Sequence, residues 1–537
     1  MVALDGETGE GTFGYRAWAG GVPADEALAE MWLKGYYFNI ENPEGVMRGD
    51  KPLLREMGPY HWVWHREQRD VAWRKDDSGE RHVRYRTYEH YSLDPSRSVP
   101  GAHADDNVTT VNAAILAALS LAGPIAGQLS PAEELVVAEL VSELQRRFPK
   151  GFTDLLFVNR TVAQLAFGFD DPLIAQLLAT IPMISSLLPL GAGIPGLSGH
   201  ANMTEIPTEE SEDMSEQDAG LPHAKGVGNY TMWKGYESIK CCASLPCNAD
   251  TQVPVWPTPE QNQVTGSDGT MFGPGVRSTD ELVVWAEEVN RSSTLVNVDG
   301  ERSDVDGVPT LRFTIKHDDY LSAQVYPANA RWFAYGPSGV MNATRCGLGS
   351  PLFLSKPHFL DVQGAFNGTE LGGGDAPLLS RIHGDVMPDR ALHDTMLDVE
   401  PTSGATLNGL QRLQANVWLD AKVLATGRTK NVTLFEDISP ALVPLMWLEK
   451  GGVATPLALK QVKKNLRLLK AATVVLTTTG VLGCVLCAAG LASVGRLVWR
   501  ALLAPCEERV ENEASEALLD SVENSPQTRG PGGGGHA

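Results

Sequence analysis

An uncharged run near the C-terminus constrains this chain more than any other feature. Residues 471–495 contain no charged side chain and lie between Lys470 and Arg496. A helix rises about 1.5 Å per residue and must cross roughly 30 Å of hydrocarbon, so the run is long enough to span a bilayer. The alternative is a buried helix of a soluble protein, but such helices rarely stay uncharged beyond about 14 residues. The run therefore predicts a transmembrane helix that follows one large domain.

The large domain carries an excess of glycosylation sequons. Eight Asn-x-Ser/Thr motifs precede the uncharged run, whereas chance would give roughly two or three in such a composition. The acceptor residues are Asn107, Asn159, Asn202, Asn229, Asn290, Asn342, Asn367 and Asn431. Such sequons are glycosylated only in the secretory pathway, so they predict an extracellular or lumenal domain.

The basic residues that flank the uncharged run indicate the opposite topology. Five basic side chains closely precede the run and three follow it: Lys460, Lys463, Lys464, Arg467 and Lys470, then Arg496, Arg500 and Arg509. The positive-inside rule alone would place the large domain in the cytosol. Because large domains translocate despite flanking charge, we give the sequons more weight.

Four cysteines of the large domain are disulfide candidates. Cys241, Cys242, Cys247 and Cys346 precede the uncharged run and allow three pairings. In a glycosylated domain, disulfides are a better interpretation of this set than a zinc site. Cys484, Cys487 and Cys506 lie in or just after the run, where we expect reduced thiols or, at Cys506, palmitoylation.

Local patterns predict a mixed fold with mostly antiparallel strands and one helical cluster near residues 112–190. Alternation of apolar and polar residues predicts strands, and a turn signal covers residues 76–79. The predicted strands are residues 61–64, 70–73, 82–88, 311–315 and 415–423, and the predicted helices are 130–149 and 153–167. The acidic residues 204–218 are predicted to form a surface loop. Two further uncharged runs, 108–132 and 173–201, contain Pro and Gly and are interpreted as buried or lipid-facing parts of the large domain.

Composition and motifs indicate no catalytic chemistry. The net charge of −22 disfavours nucleic acid as a partner. No Gly-x-Ser-x-Gly, His-Glu-x-x-His or P-loop motif occurs. His383, Asp385, Asp389 and His393 are too loosely spaced to predict a metal site and are interpreted as surface polar residues. We therefore expect no catalytic residues, no metal and no cofactor.

An ordered series of motifs resembles the class B scavenger receptors. The series holds its order and spacing over about residues 30–495, which makes it far more specific than any one motif. Its parts are residues 42–46 (NPEGV), 56–60 (EMGPY), 105–109 (DDNVT), 161–172 (TVAQLAFGFDDP), 266–270 (GSDGT), 346–351 (CGLGSP), 355–359 (SKPHF), 397–401 (LDVEP) and 412–414 (RLQ). The turn-and-strand motifs 58–60 and 355–359 are expected to have structural roles.

The chain departs from that family at two points. Members have an N-terminal membrane helix, whereas residues 1–30 are polar and Gly-rich and contain neither an apolar run nor a signal peptide. The cysteine that normally partners Cys346 is also missing. The resulting division is a polar segment 1–30, a lumenal domain 31–465, a membrane helix 471–495 and a cytoplasmic tail 496–537.

The resemblance implies a lipid receptor of the plasma membrane or of endosomal or lysosomal membranes. The expected fold is a mixed α+β, antiparallel barrel-like domain with an apical helical bundle and an internal apolar tunnel. Lipids such as fatty acid, sterol or phospholipid, and lipoprotein particles, are the expected partners. Lipid-binding candidates at the apex are Leu135, Val136, Leu140, Phe148, Phe152 and Leu155.

Two other functions stay open. The first is a lysosomal membrane protein that sorts a soluble hydrolase; residues 513–519 (EASEALL) resemble an acidic dileucine signal, with the acidic residue one position off. The second is an ecto-hydrolase, which the lack of a catalytic motif disfavours. Disulfide pairing, ligand identity and oligomeric state are left open.

Overall fold

The described part of the large domain is built around one large, mainly antiparallel sheet. The computed structural model describes residues 19–20, 27–76, 79, 81–113, 115–116, 146, 148, 152–168, 209–210, 214–218, 226–242, 252–331, 337–343, 352–363, 377–421, 435, 437–502 and 504–523. The chain divides into two compact units, residues 1–460 and 461–537.

The strands of the first unit are numbered along the chain. They are β1 Ala29–Ile40, β2 Leu53–Lys75, β3 Arg81–Leu93, β4 Asn107–Val111, β5 Phe157–Thr161, β6 Glu209–Glu210, β7 Ser215–Asp218, β8 Tyr230–Met232, β9 Lys240–Cys242, β10 Gln252–Pro254, β11 Leu282–Ala286, β12 Arg291–Val305, β13 Val308–Ile315, β14 Val340–Asn342, β15 Leu352–Ser355, β16 His383–Gly384, β17 Met396–Val399, β18 Thr406–Leu419 and β19 Ala441–Ala454. The α-helices are Pro43–Met47, Thr153–Leu156, Val162–Phe167, Arg390–His393, Pro456–Leu502 and Ala504–Glu523.

Fifteen strands form the main sheet, which nearly closes on itself. Its path is β11-β12-β13-β17-β18-β19-β1-β2-β3-β7-β8, and β6, β14, β15 and β16 pair at its sides. Ser267 joins the two ends of the path: the Tyr230 amide donates to the Gly266 carbonyl at 2.8 Å, and the Trp285 amide donates to the Ser267 carbonyl at 2.8 Å. The predicted mixed α+β, barrel-like fold is confirmed.

The predicted strands and turn are present, with wider bounds. Residues 61–64 and 70–73 belong to one strand, β2, which continues for 23 residues. The Gly79 amide donates to the Asp76 carbonyl at 3.1 Å, which closes the predicted turn before β3. The alternations near residues 311–315 and 415–423 fall in β13 and β18, the latter ending at Leu419.

The predicted helix 153–167 is wrong in its middle. Helix Thr153–Leu156 ends where Phe157–Thr161 forms β5, because this stretch pairs with β4. Thr161 then caps the helix Val162–Phe167: its hydroxyl accepts from the Gln164 amide at 3.2 Å, and the Gln164 side chain accepts from the Thr161 amide at 3.0 Å. The predicted helix 130–149 and the uncharged run 173–201 lie outside the described residues, apart from Arg146 and Phe148.

The acidic stretch 204–218 is not a surface loop where it is described. Residues 215–218 form β7, which pairs with β3, and Ser215, Glu216 and Gln217 are buried. Glu216 is tolerated there because Arg84 forms an ion pair with it and the Thr231 hydroxyl donates to it at 3.1 Å. A buried carboxylate needs such partners, and a local charge count cannot reveal them.

The uncharged run 471–495 lies within the long helix Pro456–Leu502, which is long and apolar enough to cross a membrane. At the end of β19, Thr455 prepares the start of this helix. Its hydroxyl donates to the Ala27 carbonyl at 2.7 Å, and its amide donates to the Leu28 carbonyl at 3.1 Å. The chain segment that enters β1 and the start of the helix are therefore fixed to one another.

Candidate functional site

Three of the six apex candidates can be placed, and they pack in a core. Leu155 is fully buried in the largest hydrophobic cluster, and Phe148 and Phe152 pack half-buried against it. This cluster also contains Phe38 and Ile40 of β1. Leu135, Val136 and Leu140 lie outside the described residues. A binding role for the six therefore stays a prediction.

Five sequons and two cysteines of the large domain fall in described segments. Asn107, Asn159 and Asn229 have exposed side chains, and Asn290 and Asn342 are half-buried; Asn202, Asn367 and Asn431 lie outside the described residues. Cys241 and Cys242 are in β9, whereas Cys247 and Cys346 lie outside. Glycosylation and disulfide pairing stay predictions.

His393 is not the surface residue that the sequence suggested. Its ring is 5% exposed and stacks on the His358 ring at a centroid distance of 4.1 Å. The Asp389 amide donates to His393 Nδ1 at 2.9 Å, and His358 Nε2 lies 3.2 Å from a Glu56 carboxylate oxygen. His383 and Asp385 are exposed, as expected. Within the described residues, no group of three or more such side chains has a metal-binding arrangement.

Burial, together with neighbouring His358, lowers the pKa of His393 to about 4. Below pH 6.5 the unfolded chain binds a proton here that the folded chain does not, so stability falls as the pH falls from about 6.5 towards 4. We expect this one group to cost roughly 3 kcal/mol of the free energy of unfolding across that range. Urea unfolding at pH 7 and at pH 4.5 measures it, and the loss should be smaller in His393→Gln. Exposed His383→Gln is the control, and an equal loss in both variants would contradict the assignment.

Alternation along the strands defines an inner face of the sheet. Trp62, Trp64 and Arg66 alternate along β2, and Leu33 of β1 pairs with both Trp62 and Lys450. Lys450 in turn pairs with Gln411 of β18. Since side chains two residues apart share a face, these residues line one surface across four strands.

Contacts across the barrel show that this surface faces inward. Glu287 and Glu288, between β11 and β12, accept hydrogen bonds from the Lys450 ammonium of β19 at 3.0 and 3.2 Å. The Gln411 amide also donates to Glu288, at 2.9 Å. Arg66 of β2 reaches Asp268 of the closing segment at 3.1 Å. These contacts join strands that are distant along the sheet path, across the inside of the barrel.

The charged side chains on this surface, together with those that contact them across the barrel, are called the lumenal charge cluster, where the lumen is the inside of the barrel. They are Arg66, Glu89, Lys234, Asp268, Glu287, Glu288 and Lys450. Lys450 and Glu287 are half-buried, with 26% and 33% of their side-chain surface exposed. Lys450 lowers the pKa of Glu287 despite burial, and burial fails to lower the pKa of Lys450 because Glu287 and Glu288 raise it. Both groups therefore stay charged at neutral pH.

Aromatic side chains extend the inner face away from the charges. Tyr37, Tyr60 and Trp62 form a buried apolar cluster with Val108 and Val162. Phe167, at the end of the helix Val162–Phe167, packs its ring edge-on against Trp62 at 4.9 Å. The inner face thus changes from aromatic to charged along β2. The sequence analysis missed this surface, although the alternation of Trp62, Trp64 and Arg66 was a local signal for it.

A large antiparallel β-domain followed by a helix able to cross a bilayer is the architecture of a membrane receptor with a folded ectodomain. The chain belongs to the CD36 family, whose model matches residues 11–494. It is therefore a membrane protein whose large domain is extracellular or lumenal, as the sequons predicted. The resemblance to scavenger receptors is confirmed.

Curated relatives cover most of this chain. Scavenger receptor class B member 1 of Bos taurus is 27% identical over 80% of this chain and 71% of its own length. Sensory neuron membrane protein 2 of Manduca sexta is 25% identical, with 79% and 76% covered. Lysosome membrane protein 2 of Mus musculus is 25% identical, with 78% and 74% covered. These names are those of receptors and membrane proteins.

Proposed function

We propose that the protein is a receptor that binds lipids or lipid-bearing particles and passes lipid to its membrane through a tunnel in the barrel. Accessible side chains on the inner face carry this proposal. Lys450 and Glu287, which meet across the barrel, keep 26% and 33% of their side-chain surface exposed. Burying each lipid methylene against the apolar side chains of this face is worth about 0.8 kcal/mol.

The position of this face supports transfer towards the membrane. Lys450 lies four residues before the end of β19 at Ala454, and the long helix that contains the uncharged run begins at Pro456. Tyr37 pairs with Met446 and so lies further from that end, whereas Trp62 is level with Lys450, because Leu33 pairs with both.

Capture at the apex is part of the proposal. The candidates Leu135, Val136, Leu140, Phe148, Phe152 and Leu155 would hold the lipid or its carrier particle. Phe148 and Phe152 keep accessible surface, whereas Leu155 is fully buried and suits packing better than capture. Fatty acid, sterol and phospholipid all fit an enclosed apolar route, and no bond need be made or broken, so no enzymatic activity is proposed.

Blocking the lumen tests the route. Leu33 is half-buried on the inner face, beside its strand partner Lys450, so a group attached there would narrow the proposed tunnel. We expect Leu33→Cys to lose most lipid transfer to liposomes after reaction with a small thiol reagent, and to keep transfer without the reagent. Met387→Cys, 77% exposed, is the matched control and should keep transfer under both conditions. Full transfer by modified Leu33→Cys would contradict the lumenal route.

A sorting receptor for a soluble hydrolase is the second candidate. The helix Ala504–Glu523 presents Leu518 and Leu519 with 67% and 69% of their surface exposed, as a dileucine signal requires. Replacing both leucines with Ala should shift the protein from lysosomes to the cell surface if the segment acts as a sorting signal. An unchanged distribution would count against that function.

A further inference from the structure

Five basic side chains lie on one side of the first part of the helix Pro456–Leu502. An α-helix has about 3.6 residues per turn, so residues three, four and seven positions apart share a side. The five residues follow this spacing and fall within about a third of the helix circumference. We call them the basic stripe: Lys460, Lys463, Lys464, Arg467 and Lys470. The proposed lipid route through the barrel gives this stripe no role.

Most of the stripe has no anionic partner among the described residues. Residues 456–502 contain no Asp or Glu, so the helix itself supplies no opposite charge. The side chains of four members are exposed, and none of the four forms an ion pair with a residue that the structure describes: Lys460, Lys464, Arg467 and Lys470. Their charges are therefore available to an anion from outside the protein.

The stripe also breaks two local rules. Basic residues four positions apart on a helix repel one another, as Lys460 and Lys464 do. In addition, the large domain is extracellular or lumenal, so the stripe lies on the side of the membrane that usually carries fewer basic residues. Residues that break local rules together are typical of functional sites. An anion bound along the stripe would relieve the repulsion.

The stripe lies at the level of lipid headgroups. The uncharged run begins at Ala471, directly after Lys470, and the headgroup region extends roughly 5–7 Å beyond the hydrocarbon on each side of a bilayer. With a rise of about 1.5 Å per residue, Arg467 lies about 4.5 Å and Lys464 about 9 Å before Lys470. Lys470 and Arg467 are thus at headgroup depth, and Lys464 is within the Debye length of about 8–10 Å. Headgroups of this leaflet are therefore the nearest anions that the position of the helix provides.

Exposed leucines at the same level favour a membrane over a soluble polyanion. Leu468 and Leu469 follow Arg467, and 60% and 51% of their surface is exposed. A helix with cationic and apolar sides suits the boundary between headgroups and acyl chains, because this boundary accepts both kinds of side chain. A sulfated polysaccharide would meet the cations but leave the leucines in water.

We propose that the basic stripe is a docking surface for anionic phospholipid headgroups in the leaflet on the side of the large domain. The ammonium and guanidinium groups donate to the phosphate and carboxylate oxygens of such a headgroup. A zwitterionic headgroup carries its own cation, which offsets much of this attraction. The surface goes beyond the proposed lipid route and does not depend on it, because the stripe belongs to the long helix and not to the barrel.

Photolabelling from two lipids tests the surface directly. The full-length chain would be placed in nanodiscs of phosphatidylcholine with a trace of photoreactive phosphatidylserine or photoreactive phosphatidylcholine, each with its reactive group beside the headgroup. Mass spectrometry of peptic peptides then measures the labelling of residues 456–476. In wild type, we expect phosphatidylserine to label this segment about tenfold more than phosphatidylcholine does. The preference should fall below about threefold in the triple variant Lys464→Gln/Arg467→Gln/Lys470→Gln, and also in wild type at about 1 M salt.

The basic residues at the other end of the uncharged run supply the matched control. Arg496→Gln/Arg500→Gln removes two cations there and should leave the preference at residues 456–476 unchanged. Lys464→Gln alone serves if the triple variant fails to fold, with a smaller loss of preference. Equal labelling by the two lipids in wild type, or an undiminished preference in the folded stripe variant, would overturn the docking surface. Binding of soluble heparin that depends on the stripe, without a preference for phosphatidylserine, would overturn the assignment to lipid.

Discussion

Replacing Arg412 with Met should destabilise the large domain by about 3 kcal/mol, because it leaves a buried carboxylate with one of its two cationic partners. Arg412 is 7% exposed and donates from Nε and Nη2 to one Glu449 oxygen at 2.9 and 2.7 Å. Glu449 is 4% exposed and also accepts from the Lys34 ammonium at 2.7 Å and the Trp32 indole at 3.1 Å. These hydrogen bonds and charges outweigh burial and lower the pKa of Glu449.

A double variant separates the two contributions to this loss. Arg412→Met with Glu449→Leu removes both charges, so it should recover a substantial part of the stability that Arg412→Met alone loses. Guanidinium unfolding followed by circular dichroism measures all three proteins. Arg48→Met, which breaks an exposed pair with Glu44, is the control and should change stability by less than about 1 kcal/mol. A loss in Arg412→Met no larger than in this control would contradict the buried-pair interpretation.

Trp62→Ala should cost about 3–5 kcal/mol of the free energy of unfolding. The Trp62 side chain is fully buried, and its ring packs on Phe167, so truncation leaves a cavity between β2 and the helix Val162–Phe167. Trp62→Phe retains most of this packing and should lose less than half as much. Tyr326→Ala, 40% exposed, is the control for truncation of an aromatic ring. Equal losses in Trp62→Ala and Tyr326→Ala would contradict the packing of the inner face.

Local sequence patterns predicted those parts of the fold that local rules govern. Alternation in β13 and β18, the turn between Asp76 and Gly79, and the uncharged run 471–495 each reflect the periodicity or length of a single element. The ordered motifs, through their resemblance to a known family, predicted the barrel-like architecture. Ser267, in the 266–270 motif, joins the two ends of the sheet path. Local rules gave no indication of that closure.

Long-range partners explain most of what the sequence analysis missed. Residues 157–161 look helical alone, but pairing with β4 makes them a strand. Glu216 looks like a loop residue until Arg84 is placed beside it. The lumenal charge cluster joins Glu287 to Lys450, which are distant in sequence, so no spacing rule could link them. His393 was misjudged for the same reason, because His358 reaches it only in the folded chain.

Photocrosslinking with a sterol probe tests the central claim, that lipid occupies the lumen, most directly. The full-length chain in detergent would be irradiated with a photoreactive sterol, digested and mapped by mass spectrometry. The proposed route predicts crosslinks in peptides that carry the inner face, from β1, from β2 around Trp62 and from β19 around Lys450, and competition by unlabelled sterol. Crosslinks confined to the membrane helix, residues 471–495, or spread over exposed surfaces without competition, would contradict a lipid route through the barrel.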